Sequence, residues 1–138
     1  MKSPKPFKTD PSSGLEKLNI LVVEDEKDTR DFIQNLLISA GHVVTSAASA
    51  VEAMVHVHMK PFDLVLLDIM MPGIDGHQFA HHLSTQWNTF EIPIVIISCR
   101  TDRESKSLAK LSGCIKYVEN PFSPAELLDV VREVTRSR

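Results

Sequence analysis

Four large apolar residues in a row, Leu64 to Leu67, stop at Asp68 and give way to a turn-rich stretch, Met71-Pro-Gly-Ile-Asp-Gly76. An unbroken apolar run suits a strand buried on both faces rather than one face of a solvated sheet. Two further runs behave alike. Ile20 to Val23, led by Asn19, ends at Glu24 and Asp25, and Ile92-Pro-Ile-Val-Ile-Ile97 ends at Ser98. Between them the period changes from two to about 3.6. A helix from about Lys27 to Ala40 puts Phe32, Ile33, Leu36, Leu37 and Ala40 on one face, and Gly41 ends it. His42–Ala47 reads as a short second strand. Ser49 and Glu52 form a capping box that opens a helix stopping before Pro61. The third strand is Asp63–Leu67, and the helix after Gly76 turns Phe79, Ala80 and Leu83 inward. The fourth strand is about Ile94–Ile97. Thr101 and Glu104 open a fourth helix, with Leu108, Ala109 and Leu111 inward and Gly113 as its stop. Ile115–Glu119 is the fifth strand. Ser123-Pro-Ala-Glu126 combines an N-cap, a proline at the first helical position and a capping-box glutamate, and the last helix buries Leu127, Leu128, Val131 and Val134.

Strand and helix alternate five times, which predicts an α/β domain with right-handed crossovers. The expected fold is a five-stranded parallel sheet of order 2-1-3-4-5, doubly wound with five helices, that is, flavodoxin-like. In that order the strands ending at Asp25 and Asp68 are neighbours. The crevice beyond their C-terminal ends is where such sheets place ligands.

Composition narrows the picture only slightly. A chain of 138 residues supports one domain with a substantial core. Lys2, Lys5, Lys8 and Lys17 against Asp10 and Glu16 leave residues 1–17 at +2 and, within a net charge of −3, the remainder at −5. A mildly acidic domain offers no electrostatic basis for binding nucleic acid directly. Residues 1–17, with Pro4, Pro6 and Pro11 among lysines, read as a flexible tail ahead of a domain at 18–138. No run is long enough for a membrane span and no signal core is present, so a cytoplasmic location is expected. Cys99 and Cys114 fall at opposite ends of their strands and are expected as separate thiols rather than a disulfide. His77 and His81 stand at i, i+4, but no third metal ligand accompanies them, and His56 and His58 point apart on their helix. Solvent-facing positions are the expectation for these histidines, and Trp87 is expected to pack at the end of the third helix.

Three carboxylates, Glu24, Asp25 and Asp68, together with Ser98 therefore converge on one sheet edge. Crowded carboxylates repel one another and invite a divalent cation, and ligation by oxygen alone favours Mg²⁺ or Mn²⁺ over zinc. The segments Ile20-Leu-Val-Val-Glu-Asp-Glu26, Asp63-Leu-Val-Leu-Leu-Asp-Ile-Met-Met-Pro-Gly-Ile-Asp-Gly76, Pro93-Ile-Val-Ile-Ile-Ser98 and Tyr117-Val-Glu-Asn-Pro-Phe122 resemble the receiver domains of two-component response regulators, of the chemotaxis-regulator type. The resemblance covers about residues 18–137. It implies that Asp68 is a phosphoacceptor, that Asp25, Asp68 and the main-chain carbonyl of Met70 hold the metal, and that Glu24 reaches it through water. It further implies that Ser98 contacts the phosphoryl group, that Tyr117 switches rotamer in response, and that the Asn120–Pro121 peptide is cis. One position departs from the family, which has a lysine where this chain has Asn120.

The resemblance implies a signalling domain that receives phosphate on Asp68 from a phosphohistidine donor, catalysing its own phosphorylation and dephosphorylation rather than acting as a conventional enzyme. The partners implied are a sensor histidine kinase or a histidine phosphotransfer protein. Output would pass to a downstream protein or a second copy through the face of the fourth helix, fifth strand and fifth helix. Asn120 keeps a second reading open, a pseudo-receiver whose surface is read without phosphorylation. A flavodoxin-like cofactor binder fits poorly, because no phosphate-cradling Gly/Ser/Thr loop follows the first strand.

Overall fold

The computed structural model describes residues 9–10, 15–68, 76–85, 92–98 and 114–136. Its main sheet comprises β1 (Asn19–Val23), β2 (Val43–Ala47), β3 (Leu64–Asp68), β4 (Ile94–Ser98) and β5 (Lys116–Glu119). The helices are α1 (Lys27–Ser39), α2 (Ala50–Met59), α3 (Gly76–Thr85) and α4 (Pro124–Arg136). The strands lie in the order β2-β1-β3-β4-β5 and all pair in parallel. This is the expected order. Four helices, not five, occur among the described residues, and the helical pattern over 101–111 lies outside them. Within residues 1–17, Thr9–Asp10 and Leu15–Glu16 form a separate antiparallel pair.

Alternation along each strand sorts the apolar residues into two cores. Leu21, Val23, Val65, Leu67, Ile94 and Ile96 face α2 and α3, where Ala53, Val57, Phe79 and Leu83 meet them. Ile20, Val22, Leu64, Leu66, Val95 and Ile97 face α1 and α4 across Ile33, Leu37, Leu127 and Val131. Both faces are covered, which is why the strands are uninterrupted apolar runs. Each fully buried leucine or isoleucine contributes roughly 1.5–3 kcal/mol through its transfer from water.

The capping signals appear as local hydrogen bonds. Ser49 Oγ accepts from Glu52 N–H, while the Glu52 carboxylate reaches back to Ala48 N–H. Ser123 and Glu126 make the fully reciprocal version, at 3.1 and 3.2 Å. At the end of α1, Gly41 adopts φ +98°, its N–H donates to Ile38 O, and His42 N–H donates to Leu37 O. This pair of bonds is the Schellman closure, which requires a left-handed residue at that position. A Cβ added to Gly41 meets nothing within 4 Å. The Gly41→Ala variant is therefore expected to lose about 1–2 kcal/mol from backbone conformation alone, measured as a lower urea midpoint with an unchanged m-value.

The helix faces differ from expectation in two places. Phe32 was expected inward but is 47% exposed. It packs its ring on Phe122 instead, with centroids 6.1 Å apart, because Ile33 and Leu37 already fill the space beneath α1. On α4, Val130 is buried with Leu127 and Val131, while Leu128 and Val134 sit at the half-buried rim.

His42 has a structural role that sequence inspection passed over. It is buried, and its Nδ1 accepts a hydrogen bond from Leu18 N–H at 3.2 Å. Asp63 braces the same sheet edge, accepting from Asn19 N–H at 2.8 Å. Burial holds the His42 pKa below the ordinary imidazole range, with Asp63 opposing the shift. A depressed histidine pKa means that its contribution to stability is complete above the unfolded value near 6.5 and is lost as pH falls through the folded value. His42→Gln keeps an acceptor that does not titrate. Its urea midpoint is expected to fall less steeply than that of the parent protein between pH 6.5 and 4.5.

Candidate functional site

The main sheet brings four strand ends to one edge. Val23 is in register with Leu67, Asp68 with Ile97, and Ser98 with Glu119. Glu24 continues β1 by one residue, and its N–H donates to Ala47 O at 3.0 Å, holding the chain against β2 as it leaves the sheet. Glu24, Asp25 and Asp68 each present one carboxylate oxygen, and these atoms lie within 4.8 Å of one another. Glu24 is buried, Asp68 half-buried and Asp25 exposed, so the cluster opens to solvent on the Asp25 side. Ser98, at 2% exposed, ends β4 on the α2–α3 side of the sheet, by the alternation that places Ile94 and Ile96 there. Tyr117 is half-buried and packs against that same core.

Two residues not singled out from sequence hold the acidic turn in place. Glu26 is the N-cap of α1, and its carboxylate accepts from Thr29 N–H at 2.7 Å and Asp28 N–H at 3.3 Å. Arg30, one turn further on, donates through Nη1 to the main-chain oxygens of Glu24 at 2.9 Å and Asp25 at 3.3 Å. The signal for Glu26 was legible: an acidic residue directly ahead of an apolar-periodic segment marks a helix start. Arg30 had no such mark, because its partners are backbone atoms.

Burial, with the neighbouring Asp68 and Asp25 carboxylates adding to it, pushes the Glu24 pKa up to about 8, although Glu26 N–H, donating to Glu24 Oε2 at 3.1 Å, opposes the shift. The crowding of the three carboxyls is relieved by a proton kept on Glu24, and a cation would relieve it in the proton's place. Three oxygen donors converging on one point fit Mg²⁺ or Mn²⁺, hard ions that take carboxylates and retain waters.

Asn120 follows β5, and its N–H donates to Ser98 O at 2.9 Å, which places it beside the same edge. The Asn120–Pro121 peptide is cis, as the resemblance implies. Lys116, at the far end of β5, pairs with Glu133 of α4 at 3.4 Å and does not stand in for the absent lysine. Met70, Cys99 and Trp87 lie outside the described residues. Cys114 is half-buried against the α2–α3 core. Among the described residues, no helix is long and apolar enough to cross a membrane.

A family profile described as "Response regulator receiver domain" matches residues 20–132. The chain belongs to this family. The phosphate regulon transcriptional regulatory protein PhoB of Escherichia coli is 35% identical to it over 117 residues, 85% of this chain and 51% of that protein. The chain thus spans about half the length of the curated relatives it matches. Chemotaxis protein CheY4 of Vibrio cholerae has a similar structure, with a TM-score of 0.82 at 28% identity, covering 86% of this chain and 98% of that one. The receiver domain of sensor histidine kinase PA1611 from Pseudomonas aeruginosa, solved with a magnesium ion coordinated in its active site cleft, gives a TM-score of 0.80 at 26% identity, covering 85% and 96%. As a receiver domain, the chain is a component of two-component signalling with a flavodoxin-like fold, and its acidic cluster is of the kind in which receivers bind Mg²⁺.

Proposed function

We propose that Asp68 accepts a phosphoryl group from a phosphohistidine donor and that the phosphorylated domain acts through protein contacts. The observation that carries this reading is the convergence of the Glu24, Asp25 and Asp68 oxygens at the strand edge, with Ser98 closing the neighbouring strand. An Asp68 carboxylate oxygen attacks phosphorus, the bond from phosphorus to the donor imidazole nitrogen breaks, and an aspartyl phosphate forms. Ser98 Oγ donates to a phosphoryl oxygen. Attack of water on phosphorus later breaks its bond to the Asp68 oxygen and releases inorganic phosphate, which restores the carboxylate, so the domain turns itself off. Asp25, Asp68 and the Met70 carbonyl would hold Mg²⁺ or Mn²⁺, with Glu24 contacting it through water. When bound, the cation neutralises phosphoryl charge and aligns the groups. The donor is a sensor histidine kinase or a histidine phosphotransfer protein in the cytoplasm. The receiver unit is residues 18–138, with 1–17 as its tail. Output runs from Ser98 through Tyr117 to the surface made by the pattern at 101–111, the β5 edge and α4, which binds a target protein or a second copy. Incubation with Mg²⁺ and a small acyl phosphate, read by intact mass, tests the proposal. One added phosphate supports it. An unmodified mass favours the alternative pseudo-receiver, which Asn120 recommends.

Asn120 sets the strength of the switch. It offers a neutral amide where the family lysine offers a charge, and charge-assisted hydrogen bonds are roughly twice as strong as neutral ones. Phosphorylation is expected to persist but to couple weakly to Tyr117. Asn120→Lys should enlarge the phosphorylation-dependent NMR shifts around Tyr117. No enlargement, with the parent protein already fully switched, would overturn this account of Asn120.

A further inference from the structure

The turn from β1 to α1 is Glu24, Asp25 and Glu26, and its ends are anchored differently from its middle. Glu24 N–H donates to Ala47 O at 3.0 Å, which fixes that residue to β2. Glu26 caps α1, and Arg30 N–H donates to Glu26 O at 2.9 Å as the helix begins. Asp25 lies between them and is exposed. Among the described residues, none donates a hydrogen bond to its carboxylate. Its placement therefore depends on the backbone beneath it. One side chain holds that backbone: Arg30 Nη1 donates to Glu24 O at 2.9 Å and to Asp25 O at 3.3 Å. Arg30 is half-buried, and its guanidinium is always charged. A single nitrogen thus bridges the carbonyls of both acids. Lys27 is the contrasting cation of the same helical turn. It pairs with Asp31 at 2.6 Å, out in solvent.

We propose that Arg30 is a positioning residue for the cation: by clamping the Glu24 and Asp25 carbonyls, it aims the Asp25 carboxylate at the point shared with Glu24 and Asp68. The inference rests on the reading of that cluster as a divalent-cation site. Two effects of Arg30 oppose each other, and their signs tell them apart. As a charge, a guanidinium beside the acidic turn repels Mg²⁺, so removing it should tighten binding. As a clamp, it takes away the freedom of the exposed ligand, so removing it should loosen binding. Groups that orient a metal ligand are typically worth about 10- to 100-fold in affinity. A partly exposed charge screened by solvent acts on the order of fivefold, so the clamp should win. Arg30 meets main-chain oxygens and not the acceptor, so the chemistry at Asp68 should be spared once the cation is bound.

The test is an NMR titration of the full chain with Mg²⁺, following the Asp25 and Asp68 amides, beside acyl-phosphate labelling over a range of Mg²⁺ concentrations. Arg30→Met should weaken Mg²⁺ binding about tenfold and raise the half-saturating Mg²⁺ for labelling by the same factor. The labelling rate at saturating Mg²⁺ should stay within about twofold of the parent's. In the metal-free variant the Glu26 amide, which donates to Glu24 Oε2, should exchange with solvent faster as the turn loosens. Arg30→Lys keeps the charge without the planar fork and should fall between parent and Arg30→Met. Lys27→Met removes an equal charge without the clamp, and its Mg²⁺ affinity should be unchanged or slightly tighter. Parental or tighter binding in Arg30→Met, with the urea midpoint unchanged, overturns the proposal. So does a slower saturating rate at parental Mg²⁺ affinity, which would place Arg30 in the chemistry. If Arg30→Met fails to fold, Arg30→Lys carries the test, and parental affinity there overturns the proposal. No Mg²⁺ binding by the parent would overturn the cation site and this role with it. Binding without labelling would overturn only the phosphoacceptor reading, and the titration then decides Arg30 by itself.

Discussion

Asp68→Asn is expected to abolish covalent phosphorylation. The parent protein, incubated with Mg²⁺ and a small acyl phosphate, should gain one phosphate, and the variant should gain none. The reason is chemical rather than structural. Asn has nearly the shape of Asp, so β3 should keep its register with β4 at this position, but an amide has no anionic oxygen with which to attack phosphorus. An unchanged near-UV spectrum and urea midpoint would show that the fold is intact. Asp25→Asn separates the two roles of the cluster. It leaves the acceptor in place and removes a proposed cation ligand, so phosphorylation should be slower and need more Mg²⁺. A phosphate that still appears in Asp68→Asn at the parental rate would move the acceptor to another residue.

Metal binding is expected to depend steeply on pH, with Glu24 as the cause. With its pKa pushed up to about 8, Glu24 retains its proton at neutral pH in the metal-free protein. A cation favours the carboxylate, so binding expels that proton. The apparent Mg²⁺ affinity should rise close to tenfold per pH unit between about 6 and 8 and level off above. The sign for stability is the reverse of that for His42. A carboxyl whose folded pKa lies above its unfolded value near 4.5 contributes stability at acid pH, and that contribution is lost as pH rises toward about 8. Mg²⁺ at a hundred times its dissociation constant should restore about 2.7 kcal/mol, so the gain in Tm at a fixed Mg²⁺ concentration should be larger at pH 9 than at pH 6. Calorimetry in buffers of different ionisation enthalpy counts the protons released. Glu24→Gln should flatten the profile, and an affinity constant from pH 6 to 9 in the parent protein would rule Glu24 out as the coupled group.

The chain's linear pattern was enough to place the strands and their order. Uninterrupted apolar runs ending in Asp25, Asp68 and Ser98 can be buried only in a sheet covered on both faces, and the crossovers then bring those ends to one edge. Strand ends carry chemistry in this architecture because the backbone leaves the sheet there and side chains meet across neighbouring strands. The capping of α2 and α4 was legible because it is set by residues within a few positions of one another, whereas the cis Asn120–Pro121 bond was expected only from the resemblance to receiver domains. Tertiary structure alone decided what depends on partners distant in sequence. Phe32 has the spacing of a core residue, yet it turns outward because Ile33 and Leu37 fill the space beneath α1. Arg30 secures the acidic turn through backbone oxygens, which leave no mark on side-chain patterns. His42 and His82 look like ordinary polar residues in the sequence, and only packing makes one a buried acceptor for Leu18 and leaves a nitrogen of the other unsatisfied beside His58. Glu24 and Asp25 are adjacent acids in the chain, but burial raises the pKa of the first while the second stays in solvent. Sequence period determines which face a residue takes; how deeply it is buried, and beside what charge, is decided by the elements that cover that face.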